Sequence, residues 1–190
     1  MGDKMDRGVS HPCHGSAVIL TMIFDTVWRS IRQCCQVITV TKEGLMIRVM
    51  RETDIPQLAQ LYLKGRRQTF HWVDPSHFRL EDFDEHTRGE QLWVAEQGGT
   101  PCGFVSIWGD ESFVHHLYVS ADWHGQGLGR ALLTQGLAAC RKPASLKVAT
   151  HNTSALAFYH RLGWQNTEET GHCEITGPWR RLIPSSTLRG

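Results

Sequence analysis

The chain has 190 residues, of which 41% are hydrophobic and 21% charged, so it can bury the core of one domain of ordinary size. Its formal net charge is +1 and no long run of Lys or Arg occurs, which argues against nucleic acid as a partner. The six cysteines form no C-x-x-C pair, so neither a zinc knuckle nor a disulfide framework fits, and we expect a cytoplasmic protein with reduced thiols and no metal.

Residues 1–45 differ in composition from the rest of the chain, and we expect them to form an appendage to the domain. Ser16 is a candidate cap for one helix whose apolar face would have to pack on the domain or on a second copy in a homodimer. The longest apolar run, Ala17 to Phe24, is too short to cross a membrane, and no cleavage site follows it. Neither membrane insertion nor secretion is therefore expected.

The domain itself is predicted over residues 46–184, and residues 185–190 are expected to fray as a tail. It begins with a strand near Ile47, a helix capped by Thr53 or Asp54 with Pro56 in its first turn, and a short helix near Leu80. Three strands joined by short turns follow, and they must be antiparallel neighbours. Their predicted ranges are 92–96, 102–108 and 113–119.

The second half alternates helices with strands and ends in a hairpin. A helix follows Gly129, and a strand is predicted over 145–150. This strand should run parallel to the strand 113–119, because a helix connects the two. Asn152 then caps a helix that Gly163 ends, and two strands complete the domain. The order of elements predicts an α/β fold with a central mixed, mostly antiparallel sheet that is flanked by helices.

A glycine-rich turn, Gly125 to Gly129, stands between the predicted strand 113–119 and the helix after it. Glycines let a backbone approach a ligand closely, and the free N–H groups of a first helical turn favour a phosphate there. Arg130 stands where a P-loop would need Lys, and the spacing G-x-G-x-G is not the dinucleotide-binding pattern. A plain strand-to-helix turn is the alternative.

Two segments resemble the signatures of the GNAT acetyltransferase superfamily. The segment 124–129 is similar to Q/R-x-x-G-x-G/A, with His124 in place of the usual Gln or Arg. The segment 152–164 is similar to N-x-x-A-x-x-F-Y-x-x-x-G-F, with Trp164 for the final Phe. The resemblance covers about Met46 to Ile183 and implies a GNAT-type fold, in which the sheet splays between the fourth and fifth strands of the domain.

The resemblance implies an N-acetyltransferase that uses acetyl-coenzyme A as co-substrate and needs no metal. Coenzyme A is then expected to contact one strand, the glycine turn and the start of the last helix. The residues implied are Leu117, Tyr118, Val119, His124, Gly125, Gln126, Gly127, Leu128, Gly129, Arg130 and Asn152. The strand residues would bind the pantetheine arm through their backbone, and the turn would bind the pyrophosphate. Capping of its helix is the alternative role for Asn152.

Tyr159 is implied to lie beside the thioester sulfur, where an ordinary phenol with a pKa of about 10 can protonate the departing thiolate. A core tyrosine is the alternative. Many relatives carry a Glu where Phe113 stands here. His115 lies two residues further on, on the same strand face by period two, and is the candidate base; His116 should point the other way. Glu111 and a water molecule are the competing bases.

The acetyl acceptor is the least defined part of the prediction. Phe70 and Trp72 are candidates to contact it; the alternative is that their rings pack on the core and hold the loop in place. A primary amine of a small molecule or a peptide is expected, and amino acids, aminoglycosides, polyamines and peptide N-termini all stay open. The alternatives are a non-catalytic acyl-coenzyme A-binding sensor and a protein N-terminal or lysine acetyltransferase.

Overall fold

The computed structural model describes residues 39–42 and 44–185. Within these residues, eight strands form one sheet: β1 (Thr39–Lys42), β2 (Leu45–Val49), β3 (Gln91–Gln97), β4 (Thr100–Trp108), β5 (Phe113–Val119), β6 (Ser145–Ala149), β7 (Trp164–Cys173) and β8 (Gly177–Pro184). The same residues contain four α-helices: α1 (Ile55–Thr69), α2 (Asp82–Thr87), α3 (Leu128–Ala138) and α4 (Thr153–Arg161). The strand order is β1-β2-β3-β4-β5-β6-β8-β7.

Neighbouring strands are antiparallel throughout the sheet except β5 and β6, which run parallel. The predicted α/β class with a mixed, mostly antiparallel sheet is confirmed. β5 and β6 pair only where Phe113 meets Ser145 and Val114 meets Leu146. Beyond Val114, β5 continues to pair with β4 while β6 continues to pair with β8. This opening is the predicted splay, and it leaves backbone groups along both strands available to a ligand.

Apolar side chains cover both faces of the sheet, because successive residues of a strand point to opposite faces. On β3, Leu92 and Val94 pack with α1 and α2, whereas Trp93 and Ala95 pack with α3. Full burial of a Val or Leu side chain such as these stabilises the fold by about 1.5–3 kcal/mol. Two helix layers are thereby held on opposite faces of the sheet.

The start of α1 is fixed by a buried ion group. Asp54 occupies the predicted N-cap position, but its side chain makes no cap hydrogen bond to the helix. Its carboxylate accepts hydrogen bonds of 2.6 and 2.9 Å from Arg48 and one of 2.7 Å from the backbone N–H of Arg51, and Arg48 also donates to Glu96 at 2.7 Å. The predicted side-chain cap is therefore replaced by contacts that join β2, β3 and the start of α1.

Strand β1 lies upstream of Met46, where the predicted domain begins, and it hydrogen-bonds with β2. Three strands stand between it and β5. The predicted helix after Ser16 and the last residues of the tail lie outside the described residues, so the predicted domain boundaries stay predictions. In the part of the chain that the structure describes, no helix is both long and apolar enough to span a bilayer.

Candidate active site

The glycine turn leads from β5 through a 3-10 turn at Ala121–Trp123 into α3. Gly125 and Gly127 have φ angles of 73° and 80°, a conformation that residues with a Cβ adopt only under strain. A Cβ at either position would meet no atom within 4 Å, so the space in front of this backbone is open. No acid stands in the first turn of α3, whose N–H groups lack intrahelical partners and can bind an anion.

Two side chains of the turn bond to the backbone of their own loop. Nε2 of His124 donates to the carbonyl oxygen of Val119 at 3.0 Å, and Gln126 donates to the carbonyl oxygen of Asp122 at 3.0 Å. These contacts tie the turn to the end of β5 and leave its backbone as the surface for a ligand. Arg130 is exposed on the first turn of α3 and adds a positive charge there.

Leu117, Tyr118 and Val119 lie on the part of β5 that pairs with β4 but no longer with β6. The side chains of Leu117 and Val119 pack on the core beneath α3. The ring of Tyr118 packs on α1, where a Cβ at Gly65 would lie 2.5 Å from it. The side chains are thus used in packing, and the open edge of the strand offers only backbone groups, as a strand-like ligand requires.

The helix α4 lies against the start of α3. A Cβ at Gly129 would lie 3.5 Å from the ring of Phe158, which is ordinary van der Waals contact, so the two helices are close neighbours at this point. Asn152 is the N-cap of α4, and its side-chain oxygen accepts a hydrogen bond of 3.0 Å from the N–H of Ala155. The capping role of Asn152 is therefore present, and its amide NH2 is the group left to donate to a ligand.

Tyr159 lies on α4 with 8% of its surface exposed, in contact with the rings of Phe158 and Trp164. Burial, and then the nearby phenol of Tyr118, raises the pKa of Tyr159 well above its usual range. A phenol is protonated at neutral pH at its ordinary pKa, and burial of Tyr159 strengthens this preference. A protonated hydroxyl can donate a hydrogen bond to a leaving thiolate, and the role of Tyr159 as the acid stays a prediction.

A β-bulge on β5 sets the direction of His115. Ser106 pairs with His116 and Ile107 with Val114, so His115 is an extra residue in the ladder. The rings of His115 and His116 stack with their centroids 3.9 Å apart. Strict alternation predicts that the two histidines face opposite sides of the sheet, and this prediction is wrong because the bulge interrupts the alternation.

The partner of His115 is Glu90, which nothing in the local sequence singles out. The Glu90 carboxylate pairs with Nδ1 of His115; the Glu90 side chain is 1% exposed and the imidazole 42%. The second oxygen of this carboxylate is buried without a hydrogen-bond partner among the described residues. Glu90 stands directly before β3, and the register of three neighbouring strands brings it to a residue 25 positions away.

His116 belongs to a partly buried polar group under α1. Its Nε2 lies 3.5 Å from the hydroxyl of Tyr62, which also lies 2.9 Å from Nδ1 of His86. Burial, followed by the charges that His115 and His86 would carry, lowers the pKa of His116 well below its usual value. Burial, followed by Arg66, lowers the pKa of His86. Both imidazoles are therefore neutral at neutral pH.

Glu90, His115 and His116 form the one group within the described residues whose ligating atoms could hold a metal ion, all lying within 4.8 Å of one another. The rings of His115 and His116 stack with an interplanar angle of 25°. The carboxylate is also already paired with Nδ1 of His115. A paired carboxylate and imidazole are groups that proton transfer uses, and the absence of a metal stays a prediction.

Phe70 and Trp72 lie after α1 with ring centroids 5.5 Å apart, and Phe70 packs on the buried ring of Phe78. Trp72 extends away from this loop. Its indole N–H donates to the carbonyl oxygen of Thr176 at 3.2 Å, and its ring centroid lies 5.3 Å from that of His151. Thr176 is in the β7–β8 turn and His151 precedes α4. Trp72 therefore links the loop after α1 to two loops beyond the opening of the sheet.

Comparison with known proteins agrees with this geometry. One similar curated protein is an uncharacterized N-acetyltransferase of Methanocaldococcus jannaschii, 25% identical over 184 residues, which covers 86% of this chain and 76% of that protein. The fold is similar to that of apo YjaB from Escherichia coli, with a TM-score of 0.61 and 23% identity over 74% of this chain and 97% of that one. It is also similar to the PaiA N-acetyltransferase of Thermoplasma acidophilum in complex with coenzyme A, with a TM-score of 0.59 and 14% identity over 72% and 97% of the two chains.

The family comparison covers more than half of the chain. Residues 55–164, from the start of α1 to the first residue of β7, match the acetyltransferase (GNAT) family. This range contains both signature segments, the opening between β5 and β6, and the glycine turn. The chain belongs to the GNAT family of acetyltransferases and is an acyltransferase that depends on acetyl-coenzyme A.

Proposed function

We propose that the protein transfers the acetyl group of acetyl-coenzyme A directly to a primary amine of a small molecule or a peptide. The observation that carries this proposal is the opening between β5 and β6, which leads along β5 into the glycine turn. A ligand with an extended arm and a pyrophosphate fits this site. The arm can bind along β5 as an added strand, and the pyrophosphate can bind at the start of α3. The coenzyme A complex of the PaiA relative supports the same ligand.

The residues proposed to hold coenzyme A share an open backbone edge or a helix start. They are Leu117, Tyr118, Val119, His124, Gly125, Gln126, Gly127, Leu128, Gly129, Arg130 and Asn152. The open space at Gly125 and Gly127 supports this assignment, because a phosphate can approach the main chain there. His124 and Gln126 act by shaping the turn, since their side chains bond to its own backbone.

Acetyl-coenzyme A supplies the acetyl group as a thioester. His115 accepts a proton from the ammonium group of the acceptor, so the nitrogen lone pair can form the new N–C bond while the C–S bond breaks. Tyr159 donates a hydrogen bond to the departing sulfur. No hydrogen bond or ring contact among the described residues joins His115 to Tyr159. Glu111, exposed on the turn before β5, and a water molecule are the competing bases.

Phe70 and Trp72 are proposed to contact the acceptor. Trp72 spans from the loop after α1 to the β7–β8 turn, so an amine that enters from this side meets its ring. Both residues are partly exposed, although the packing of Phe70 on Phe78 also holds the loop. Aromatic rings favour acceptors that carry an apolar or aromatic group, and they also favour a cation over the ring face.

A panel of amines tests the proposal. The protein is incubated with acetyl-coenzyme A and 2-phenylethylamine, spermidine, kanamycin, methionine or a short peptide with a free N-terminus, and mass spectrometry follows acetylated products. We expect at least one amine to be acetylated, with release of coenzyme A that depends on that amine. Tight binding of acetyl-coenzyme A together with no amine-dependent release across this panel and a wider amine library would instead indicate an acyl-coenzyme A sensor.

A further inference from the structure

We infer that Glu90 is a positioning residue that holds the imidazole of His115 in the tautomer and orientation needed to accept a proton from the acetyl acceptor. This inference rests on the proposed function, because it assigns Glu90 a role only through His115. Glu90 itself cannot be the base, since its side chain is 1% exposed and an acceptor amine cannot reach it. His115, with 42% of its side chain exposed, is the group that can meet solvent and ligand.

The carboxylate of Glu90 has an unusual environment for a buried acid. Burying an ionised carboxylate is costly unless an opposite charge or hydrogen-bond donors compensate it. Within residues 39–42 and 44–185, the one ion-pair partner of Glu90 is His115, and its second oxygen has no hydrogen-bond partner. An acid in this position contributes little to stability by itself. We therefore assign Glu90 a functional role through its contact with His115, not a role in stability.

The contact determines which nitrogen of His115 is available. A carboxylate next to Nδ1 accepts a hydrogen bond from Nδ1–H, and the lone pair of the neutral ring is then on Nε2. When Nε2 takes the proton of the acceptor amine, the positive charge of the ring lies beside the Glu90 carboxylate. The proton moves from the amine nitrogen to Nε2 and later to solvent, so no further reactant is needed.

Two other features hold the imidazole plane. The β-bulge places His115 outside the regular ladder of β5, and its ring stacks on that of His116 at 3.9 Å. Burial holds the pKa of His116 well below its usual value, so the stacked neighbour is neutral and does not repel a protonated His115. Glu90 on one ring nitrogen and His116 on one ring face together leave Nε2 as the reactive atom.

The first test reads the tautomer and needs no acceptor. Histidines are labelled with ¹⁵N, and the nitrogen shifts of His115 are measured at about pH 8, where a neutral imidazole reports its tautomer. We expect the Nδ1–H form in the wild-type protein and in Glu90→Gln, whose amide oxygen still accepts. Glu90→Met fills the buried site without an acceptor and should restore a mixture of tautomers. Asp84→Asn, which removes an exposed carboxylate from α2, is the matched control and should change nothing.

The second test is a double-mutant cycle with the amine of the panel that is acetylated fastest. Glu90→Met should lower kcat roughly 10-fold or more and leave the KM for acetyl-coenzyme A unchanged, with Glu90→Gln in between. In a His115→Ala background, Glu90→Met should have no further effect, because Glu90 acts only through His115. A merely structural role would instead add its effect to that of His115→Ala.

The outcomes separate this inference from the proposed function. If His115→Ala lowers turnover but Glu90→Met changes neither the tautomer nor kcat, Glu90 has no positioning role while the proposed base stands. If His115→Ala keeps full turnover, the proposed base is wrong, and Glu90 then has no positioning role in catalysis either. Additive losses in the double mutant would also overturn the inference.

Discussion

Replacing Gly127 by aspartate is expected to weaken the binding of coenzyme A without unfolding the protein. Gly127 has a φ of 80°, and an added Cβ would meet no atom within 4 Å, so the free protein has room for the carboxylate. A residue with a Cβ at this φ costs about 1–2 kcal/mol of stability through backbone strain. A small domain can lose this amount and stay folded at room temperature.

The expected loss of binding has an electrostatic and a geometric part. Two unit charges 4 Å apart repel by about 1 kcal/mol in water and by about 4 kcal/mol near a protein surface of lower effective dielectric constant. Gly125 to Gly127 are exposed, so the repulsion between the new carboxylate and the pyrophosphate lies near the lower value. Losing one hydrogen bond from the turn backbone adds about 1 kcal/mol. A total of about 2 kcal/mol raises the Kd about 30-fold.

Isothermal titration calorimetry with coenzyme A measures this change, and Gly99→Asp is its matched control. Gly99 has a φ of 83°, also has no atom within 4 Å of an added Cβ, and lies in the β3–β4 turn outside the cofactor turn. Gly127→Ala isolates the geometric part, and the difference between Ala and Asp should shrink as salt is added. Equal affinities for Gly127→Asp and Gly99→Asp would refute the placement of the pyrophosphate on this turn.

Three further results are expected. Tyr159→Phe should lower kcat roughly 10²-fold with little change in the KM for acetyl-coenzyme A, and steady-state kinetics that show near-full turnover would remove Tyr159 from the chemistry. Burial lowers the pKa of His116 and of His86, so the unfolded chain binds protons that the folded chain does not. The Tm should thus be steady above about pH 7 and fall as the pH drops below about 6.5, and a flat Tm from about pH 7 to about pH 5 would contradict this. A protein that begins at Leu45, without β1, should bind coenzyme A as tightly as the full chain in calorimetry, because three strands separate β1 from β5; a weaker affinity would tie residues 1–44 to the site.

Local chemistry explains why most of the elements could be predicted from the sequence. Asn152 caps α4 through its own side chain, and Pro56 stands in the first turn of α1, both as their residue types favour. Gly98 and Gly99 both take positive φ in the turn between β3 and β4. In each case the residue that predicts the element acts on its own backbone or on a residue at most four positions away.

The parts that could not be predicted depend on contacts between distant residues. Asp54 makes no side-chain hydrogen bond to the helix it precedes; its carboxylate bonds the N–H of Arg51 and the guanidinium of Arg48, which β2 places beside it. The bulge at His115 depends on how β5 aligns with β4, which the composition of β5 does not reveal. Glu90 meets His115 only after three strands are in register. The sequence therefore indicates His115 as the candidate base but does not indicate Glu90 as the residue that orients it.

The link between Trp72 and residue 176 has a consequence for how relatives of this protein could diverge. The indole N–H donates to a main-chain carbonyl oxygen, which every amino acid provides. Residue 176 can consequently be exchanged without loss of the link, and each exchange changes the side chain that the β7–β8 turn presents. Trp72 has no equivalent freedom, because few side chains combine that reach with an N–H donor. New acceptor preferences could thus arise by substitutions on the turn while one tryptophan keeps the turn in place.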